Sequence, residues 1–125
     1  MSVVGLIGLG AVGSSLAMLL AENGYTVFVA DARPRSHFDA LLREGGGRIE
    51  WMSADELCAV CDIVLTSLPS VAIIALVAER HIFPRLKGTW IDLSTTDKAE
   101  VERLGPLAKQ RGIDLLEAPL TGGVH

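Results

Sequence analysis

Val3-Val4-Gly5-Leu6-Ile7, followed by Gly8-Leu9-Gly10-Ala11-Val12-Gly13, opens the chain and decides how it is read. The first five residues have the composition of a buried strand. A helix-type pattern starts at Val12 and runs through Leu16, Leu19 and Leu20, which the spacing predicts on one inward face. Strand, G-x-G-x-x-G and helix in succession form the arrangement that cradles a dinucleotide pyrophosphate. In it Gly8 allows the tight turn and Gly10 lets the backbone approach the phosphates. Gly13 lets the helix pack closely on the strand. The N–H groups and positive dipole end of the helix hold the anion. Alone the motif is weakly specific, so the remaining chain has to support it.

The next acidic residue stands where that arrangement needs one. Glu22-Asn23-Gly24 stops the first helix, with Gly24 suited to a left-handed cap. Val27-Phe28-Val29-Ala30 then reads as a second strand ending at Asp31, eighteen residues past Gly13. A carboxylate at the tip of the second strand accepts hydrogen bonds from the adenosine ribose hydroxyls and repels a 2′-phosphate. The alternative for Asp31 is a strand-end turn former. Arg33 and Arg35 pull the other way, because a nearby arginine can accommodate the 2′-phosphate of NADP. They also read as solvated loop residues. NAD is favoured over NADP.

Strands and helices alternate to the end. Phe38, Leu41 and Leu42 mark a short second helix closed by Gly45-Gly46-Gly47, and 48–51 is a weak third strand. Ser53 with Glu56 is a capping box for the next helix. Segment 62–67 is a fourth strand of buried composition, stopped by Leu68-Pro69. Val71, Ile74, Val77 and Ala78 make another apolar helical face, and 89–93 is a fifth strand. Asp97 with Glu100 is a second capping box, whose helix Gly105-Pro106 should kink or split. Segment 113–117 is a sixth strand. Six strands alternating with helices, joined by right-handed crossovers, predict an α/β Rossmann-type, doubly wound parallel sheet in the order 3-2-1-4-5-6.

Composition bounds the function. The 125 residues read as one dinucleotide-binding domain, and half of them are apolar, enough for a sizeable core. A formal net charge of −4 argues against binding nucleic acid or an anionic membrane. No run reaches the roughly 18 apolar residues of a membrane span, and the apolar start lacks the basic region of a signal peptide. A cytoplasmic protein is expected. Cys58 and Cys61 have C-x-x-C spacing, but none of His37, His81 and His125 lies close enough in sequence to complete a zinc site. Reduced, partly buried core thiols are the expectation, and no metal is.

Four separated segments together resemble the N-terminal domain of the β-hydroxyacid dehydrogenases, with 6-phosphogluconate dehydrogenase a more distant relative. They are Gly5 to Gly13, Leu68-Pro69, Asp92-Leu93-Ser94-Thr95 and Ala118-Pro119-Leu120-Thr121-Gly122-Gly123. The resemblance implies that Gly8, Gly10 and Gly13, with the backbone at Ala11 and Val12, bind the pyrophosphate. It implies that Leu68 and Pro69 line the cofactor cleft and that Thr95 lies near the nicotinamide. Thr121, Gly122 and Gly123 would help hold a substrate carboxylate, a role that glycine N–H groups and a neighbouring hydroxyl suit. Thr95 also reads as a strand-end turn hydroxyl, and the Thr121 stretch as an ordinary turn or a frayed terminus.

The implied activity is reversible hydride transfer between nicotinamide and a small 3-hydroxy acid. The family's catalytic lysine lies on a helix beyond the last of these segments, which places it past His125. Lys87, Lys98 and Lys109 are wrongly placed to substitute, so no catalytic residue is expected in this chain. A truncated chain that binds cofactor without turnover is therefore expected, and self-association through surface that the family's second domain would cover. An imine reductase domain and a stand-alone NAD-sensing module are the rival readings, and a methyltransferase a weaker one.

Overall fold

Segments rich in Val, Ile and Leu that alternate with amphipathic stretches can bury both faces of a sheet only by crossing over it with helices. A computed structural model, which describes residues 3–94 and 98–118, has that architecture. The strands β1 (Val3–Ile7), β2 (Thr26–Ala30), β3 (Ile49–Trp51), β4 (Ile63–Thr66), β5 (Thr89–Asp92) and β6 (Asp114–Glu117) form one parallel sheet. Their order is β3-β2-β1-β4-β5-β6, as the pattern of elements predicts. The expected strand bounds hold to within one residue at each end.

Side chains alternate between two cores. On one face α1 (Ala11–Glu22) and α2 (Asp39–Glu44) cover Leu6, Val27, Val29 and Leu65. On the other α3 (Ala54–Val60), α4 (Val71–Val77) and α5 (Lys98–Gln110) cover Ile7, Val64 and Trp90. A 3-10 turn, Arg35–Phe38, leads into α2, and a π-helical turn, Ala78–Ile82, extends α4. Trp90 is fully buried with Phe83 edge-on at 6.0 Å.

Helix ends follow the local signals. Gly24 adopts φ +91° after α1, and its N–H and that of Tyr25 close the last turn on the Ala21 and Leu20 carbonyls. The Ser53 hydroxyl accepts the Glu56 N–H at 3.1 Å to start α3.

One expectation needs correction and another is narrowed. The inward face of α1 is Gly13, Ala17 and Ala21, while Val12 is 44% and Leu19 55% exposed. Small residues four apart let the helix backbone lie close on the sheet, and Leu16 and Leu20 then fill the flanks. Counting large apolar residues selects the wrong stripe. In α5, Gly105-Pro106 does not split the helix, which runs unbroken from Lys98 to Gln110. Pro106 removes one donor, but Leu104 and Ala108 on either side of it are fully buried and keep the helix on the sheet.

Cys58 and Cys61 are more deeply buried than expected, at 1% and 3% exposure, and both are thiols. Burial, with the neighbouring sulfur, pushes the Cys58 thiol up to about 12. Burial, with Asp62 beside it, pushes Cys61 up to about 11. At pH 8 a thiol reagent should modify neither cysteine in the native chain and both after unfolding in guanidinium. Because folding raises both values, the stability they confer is intact below the ordinary thiol value of 9.0 and lost as pH climbs towards 11 and 12. The denaturation midpoint should therefore fall above pH 9, an effect that Cys58→Ala/Cys61→Ala should reduce.

Candidate functional site

The sheet order reverses between β1 and β4, and an open α/β sheet presents a crevice at the carboxyl ends of the strands at such a point. A cavity of about 600 Å³ lies there. The loop from Gly8 to Gly10 and the first residues of α1 form one wall, and Asp31 to Arg33 follow β2. Ser67, Leu68 and Pro69 follow β4, and Leu93 and Ser94 follow β5. Gly8, Gly10, Ala11, Val12, Asp31, Leu68 and Pro69 are thus brought together as expected. Gly13 stands directly behind them. Thr95, Thr121, Gly122 and Gly123 lie outside the described residues, so the expected nicotinamide and substrate contacts are not among those the structure places. His125, past which the resemblance sets the catalytic lysine, lies outside them too.

Steric room explains the three glycines separately. Gly8 sits at φ +104°, and a Cβ there would run into the Ser67 carbonyl at the end of β4. A Cβ on Gly13 would collide with the Gly8 carbonyl, so the first turn of α1 rests on the loop backbone. Gly10 differs, because nothing among the described residues lies within 4 Å of its missing Cβ. Its bareness opens backbone to the cleft.

The start of α1 is bare electrostatically too. Gly10 offers no side-chain cap and the first turn holds no acidic residue. Helices α3 and α4 begin instead on Ser53 and Ser70, whose hydroxyls accept the Glu56 and Ile73 N–H groups. Among the described residues the N-terminal donors of α1 therefore face the cleft without a side-chain acceptor, in the positive field of the helix. That end suits a phosphate.

Asp31 stands at the expected corner, but its surroundings are richer than the sequence reading allowed. Its Oδ2 accepts the Leu9 N–H at 2.7 Å, tying the tip of β2 to the glycine loop. Its Oδ1 accepts the Arg33 backbone N–H and Nε–H, both at 2.9 Å, and Oδ2 accepts Arg33 Nη2 at 3.1 Å. The carboxylate side chain is only 7% exposed. Burial alone would raise its pKa. The Arg33 side chain and the backbone N–H groups of Arg33 and Leu9 outweigh that and hold it below the usual carboxylate range.

Arg33 is exposed, as the solvated-loop reading has it, but its side chain is not free. Its guanidinium, though half exposed, forks onto Asp31 and lies 5.1 Å over the Phe38 ring. Phe38 is buried and stacks on Trp51 at 5.7 Å. Arg35 begins the 3-10 turn and does not line the cleft.

A buried network holds the opposite wall, and sequence reasoning missed it. Trp90 Nε1–H donates to Thr66 Oγ1 at 2.9 Å, and Thr66 donates to Asp92 Oδ1 at 2.8 Å. Ser94 Oγ donates to the same Oδ1 at 2.9 Å while accepting the Leu68 N–H at 2.8 Å. Two neighbouring loops are thereby linked through one carboxylate that is fully buried. Its Oδ2 has no hydrogen-bond partner among the described residues. Polar residues in otherwise apolar strands, Thr66 and Asp92, were the available signal.

Among the described residues lining the cleft, Asp31 and Arg33 are the ionisable ones. Among the described residues no cluster of three His, Cys, Asp or Glu could hold a metal ion, and no helix is long and apolar enough to cross a membrane. The arrangement can bind an anion along α1 and a polar group at Asp31, against an apolar wall of Leu68, Ile73 and Val77.

Known proteins share this layout. A family model described as the NAD binding domain of 6-phosphogluconate dehydrogenase matches residues 3–125. The 2-(hydroxymethyl)glutarate dehydrogenase of Eubacterium barkeri is 32% identical over 124 residues, covering 96% of this chain and 40% of that protein. The mitochondrial 3-hydroxyisobutyrate dehydrogenase of Homo sapiens is 30% identical over 125 residues, covering 97% and 36%. A 3-hydroxyisobutyrate dehydrogenase from Mycobacterium tuberculosis, solved with L-serine, superposes with a TM-score of 0.84 at 25% identity, over 98% of this chain and 42% of that one. An imine reductase from Myxococcus stipitatus, solved with NAD+, reaches a TM-score of 0.87 at 18% identity over 98% and 42%, a likeness of fold alone. The chain thus spans between 36% and 42% of the length of these proteins. Matched from residue 3 to residue 125, with its glycine loop and cleft built as described, it belongs to the family of the NAD binding domain of 6-phosphogluconate dehydrogenase.

Proposed function

We propose that the chain binds NAD(H) as the cofactor-holding part of a dehydrogenase that moves hydride between nicotinamide and the carbinol carbon of a small 3-hydroxy acid. The observation that carries the reading is the placement of Asp31 and the uncapped start of α1 on one cleft. The uncapped N–H groups of α1 bind the pyrophosphate, and Gly10 lets it approach. Asp31 takes the adenosine ribose, where its charge disfavours the 2′-phosphate of NADP. Leu68, Pro69, Ile73 and Val77 shield the cofactor from water on the apolar side.

Bound nicotinamide supplies the hydride chemistry. The protein's part is orientation. Ser94, fixed by Asp92, holds the Leu68-Pro69 loop in register with the loop after β5. Thr95 near the nicotinamide, and Thr121, Gly122 and Gly123 on the substrate carboxylate, complete the proposal from the family resemblance. So does a general acid or base supplied from beyond His125. The human and Eubacterium barkeri relatives, named for oxidising hydroxy acids, support that substrate class. Two buried thiols fit a reducing compartment such as the cytoplasm.

Gly10→Ala should leave the denaturation midpoint nearly unchanged, since its new methyl meets none of the described residues, yet weaken NADH binding roughly tenfold or more by crowding the phosphates. Gly13→Ala should instead cost about 1–3 kcal/mol of stability, because backbone must move. Fluorescence titration with NADH and urea denaturation separate the two, and equal effects in both variants would contradict the assignment. Titration with NAD and NADP should show wild type preferring NAD and Asp31→Ala losing that preference. Tighter binding of NADP by wild type would overturn the role of Asp31. No general acid or base other than Asp31 lines the cleft among the described residues, so the 125-residue chain should bind NADH without turnover. Oxidation of any 3-hydroxy acid by it, read as NADH absorbance, would contradict this.

A further inference from the structure

A carboxylate offers about four acceptor positions, two on each oxygen. At Asp31 all four are used. Oδ1 takes the Arg33 N–H and Nε–H, and Oδ2 takes the Leu9 N–H and Arg33 Nη2. Two of these donors are backbone groups of the loops themselves. The other two belong to one guanidinium. If that guanidinium moves away, each oxygen keeps one backbone donor and releases one acceptor position. Two acceptors side by side match a vicinal diol, whose two hydroxyls each donate once.

We infer that Arg33 is a specificity-determining latch, its guanidinium occupying on Asp31 the positions of the adenosine ribose diol, so that NAD(H) binds by displacing it. This rests on the reading of Asp31 as the ribose acceptor. The latched position is a built one. The guanidinium is clamped between a carboxylate side chain that is 7% exposed and the face of Phe38, which Trp51 backs. Release is local, because the Arg33 backbone N–H stays on Oδ1 while the side chain, 51% exposed, can swing into solvent. The charge argument extends to NADP. With the guanidinium gone, Asp31 faces the cleft as an uncompensated anion and repels a 2′-phosphate more strongly. Arg33 therefore lowers affinity for NAD(H) and narrows the preference over NADP(H).

The test uses the 125-residue chain, with NADH and NADPH as fluorescent probes and a thermal melt to confirm folding. Arg33→Ala should bind NADH roughly two- to fivefold more tightly than wild type, the range expected when one ion pair no longer has to be broken. It should bind NADPH more weakly. Arg33→Lys keeps the charge but loses the fork, and should fall between wild type and Arg33→Ala for NADH. Because salt screens the pair, the advantage of Arg33→Ala over wild type should shrink between about 0.05 and about 0.5 M salt. NADH binding by Arg33→Ala that is equal to or weaker than wild type, with wild type binding normally, overturns the latch alone. Failure of every variant and of wild type to bind either probe overturns the cofactor reading, and the latch with it.

Discussion

Backbone resting on backbone is the constraint behind this cleft. The Gly8 α-carbon lies against the Ser67 carbonyl, and the Gly13 α-carbon lies against the Gly8 carbonyl. The turn after β1, the end of β4 and the first turn of α1 are therefore stacked backbone against backbone. The small stripe of Gly13, Ala17 and Ala21 continues that closeness along the helix. Its consequence is positional. With α1 seated so low, its uncapped donors open at the level of the strand ends, where the reversal of sheet order leaves room for a ligand. A larger residue at Gly8 or Gly13 would lift the helix and move those donors before it touched any ligand.

Around that seat the polar groups divide into fixed and exchangeable. Asp92 is fully buried, and the donors that reach it come from Thr66 and Ser94, both themselves buried. Such a network has few alternatives once formed, because breaking any link strands a polar group away from water. It makes the loops after β4 and β5 move together. Asp31 is held differently, by two backbone groups and one long, half-exposed side chain. The backbone donors fix its orientation, and the guanidinium neutralises it.

Legibility in the sequence follows the same division. Strand and helix order could be read because both faces of a parallel sheet demand apolar runs and crossovers, and only a few topologies obey the handedness rule. The glycine loop, Asp31 and Leu68-Pro69 could be read because backbone geometry fixes their spacing along the chain. The inner face of α1 could not, since hydrophobic counting weights Leu19 above Gly13 and Ala17, whereas close approach rewards the smaller residues. Nor could the Thr66, Asp92 and Ser94 network, whose members lie 26 residues apart or meet only once β4 and β5 pair. The partners of Arg33 could not be read for a related reason. A charged residue in a loop is usually solvated, and the platform that holds this one, Phe38 on Trp51, exists only after the 3-10 turn packs against β3.

These placements also bear on how binding strength is distributed along the cleft. On the β4 and β5 side the loops are preorganised, so a ligand lying there meets groups whose ordering cost was met in folding. On the β2 side the acceptor is equally well oriented but already satisfied, so a ligand gains only the difference between its own hydrogen bonds and those it replaces. Affinity should thus come mainly from the uncapped end of α1 and the apolar wall. Asp31 would contribute discrimination more than strength. On the proposed reading Asp31 would work by what it refuses, and the ion pair that covers it would set how strongly it can refuse.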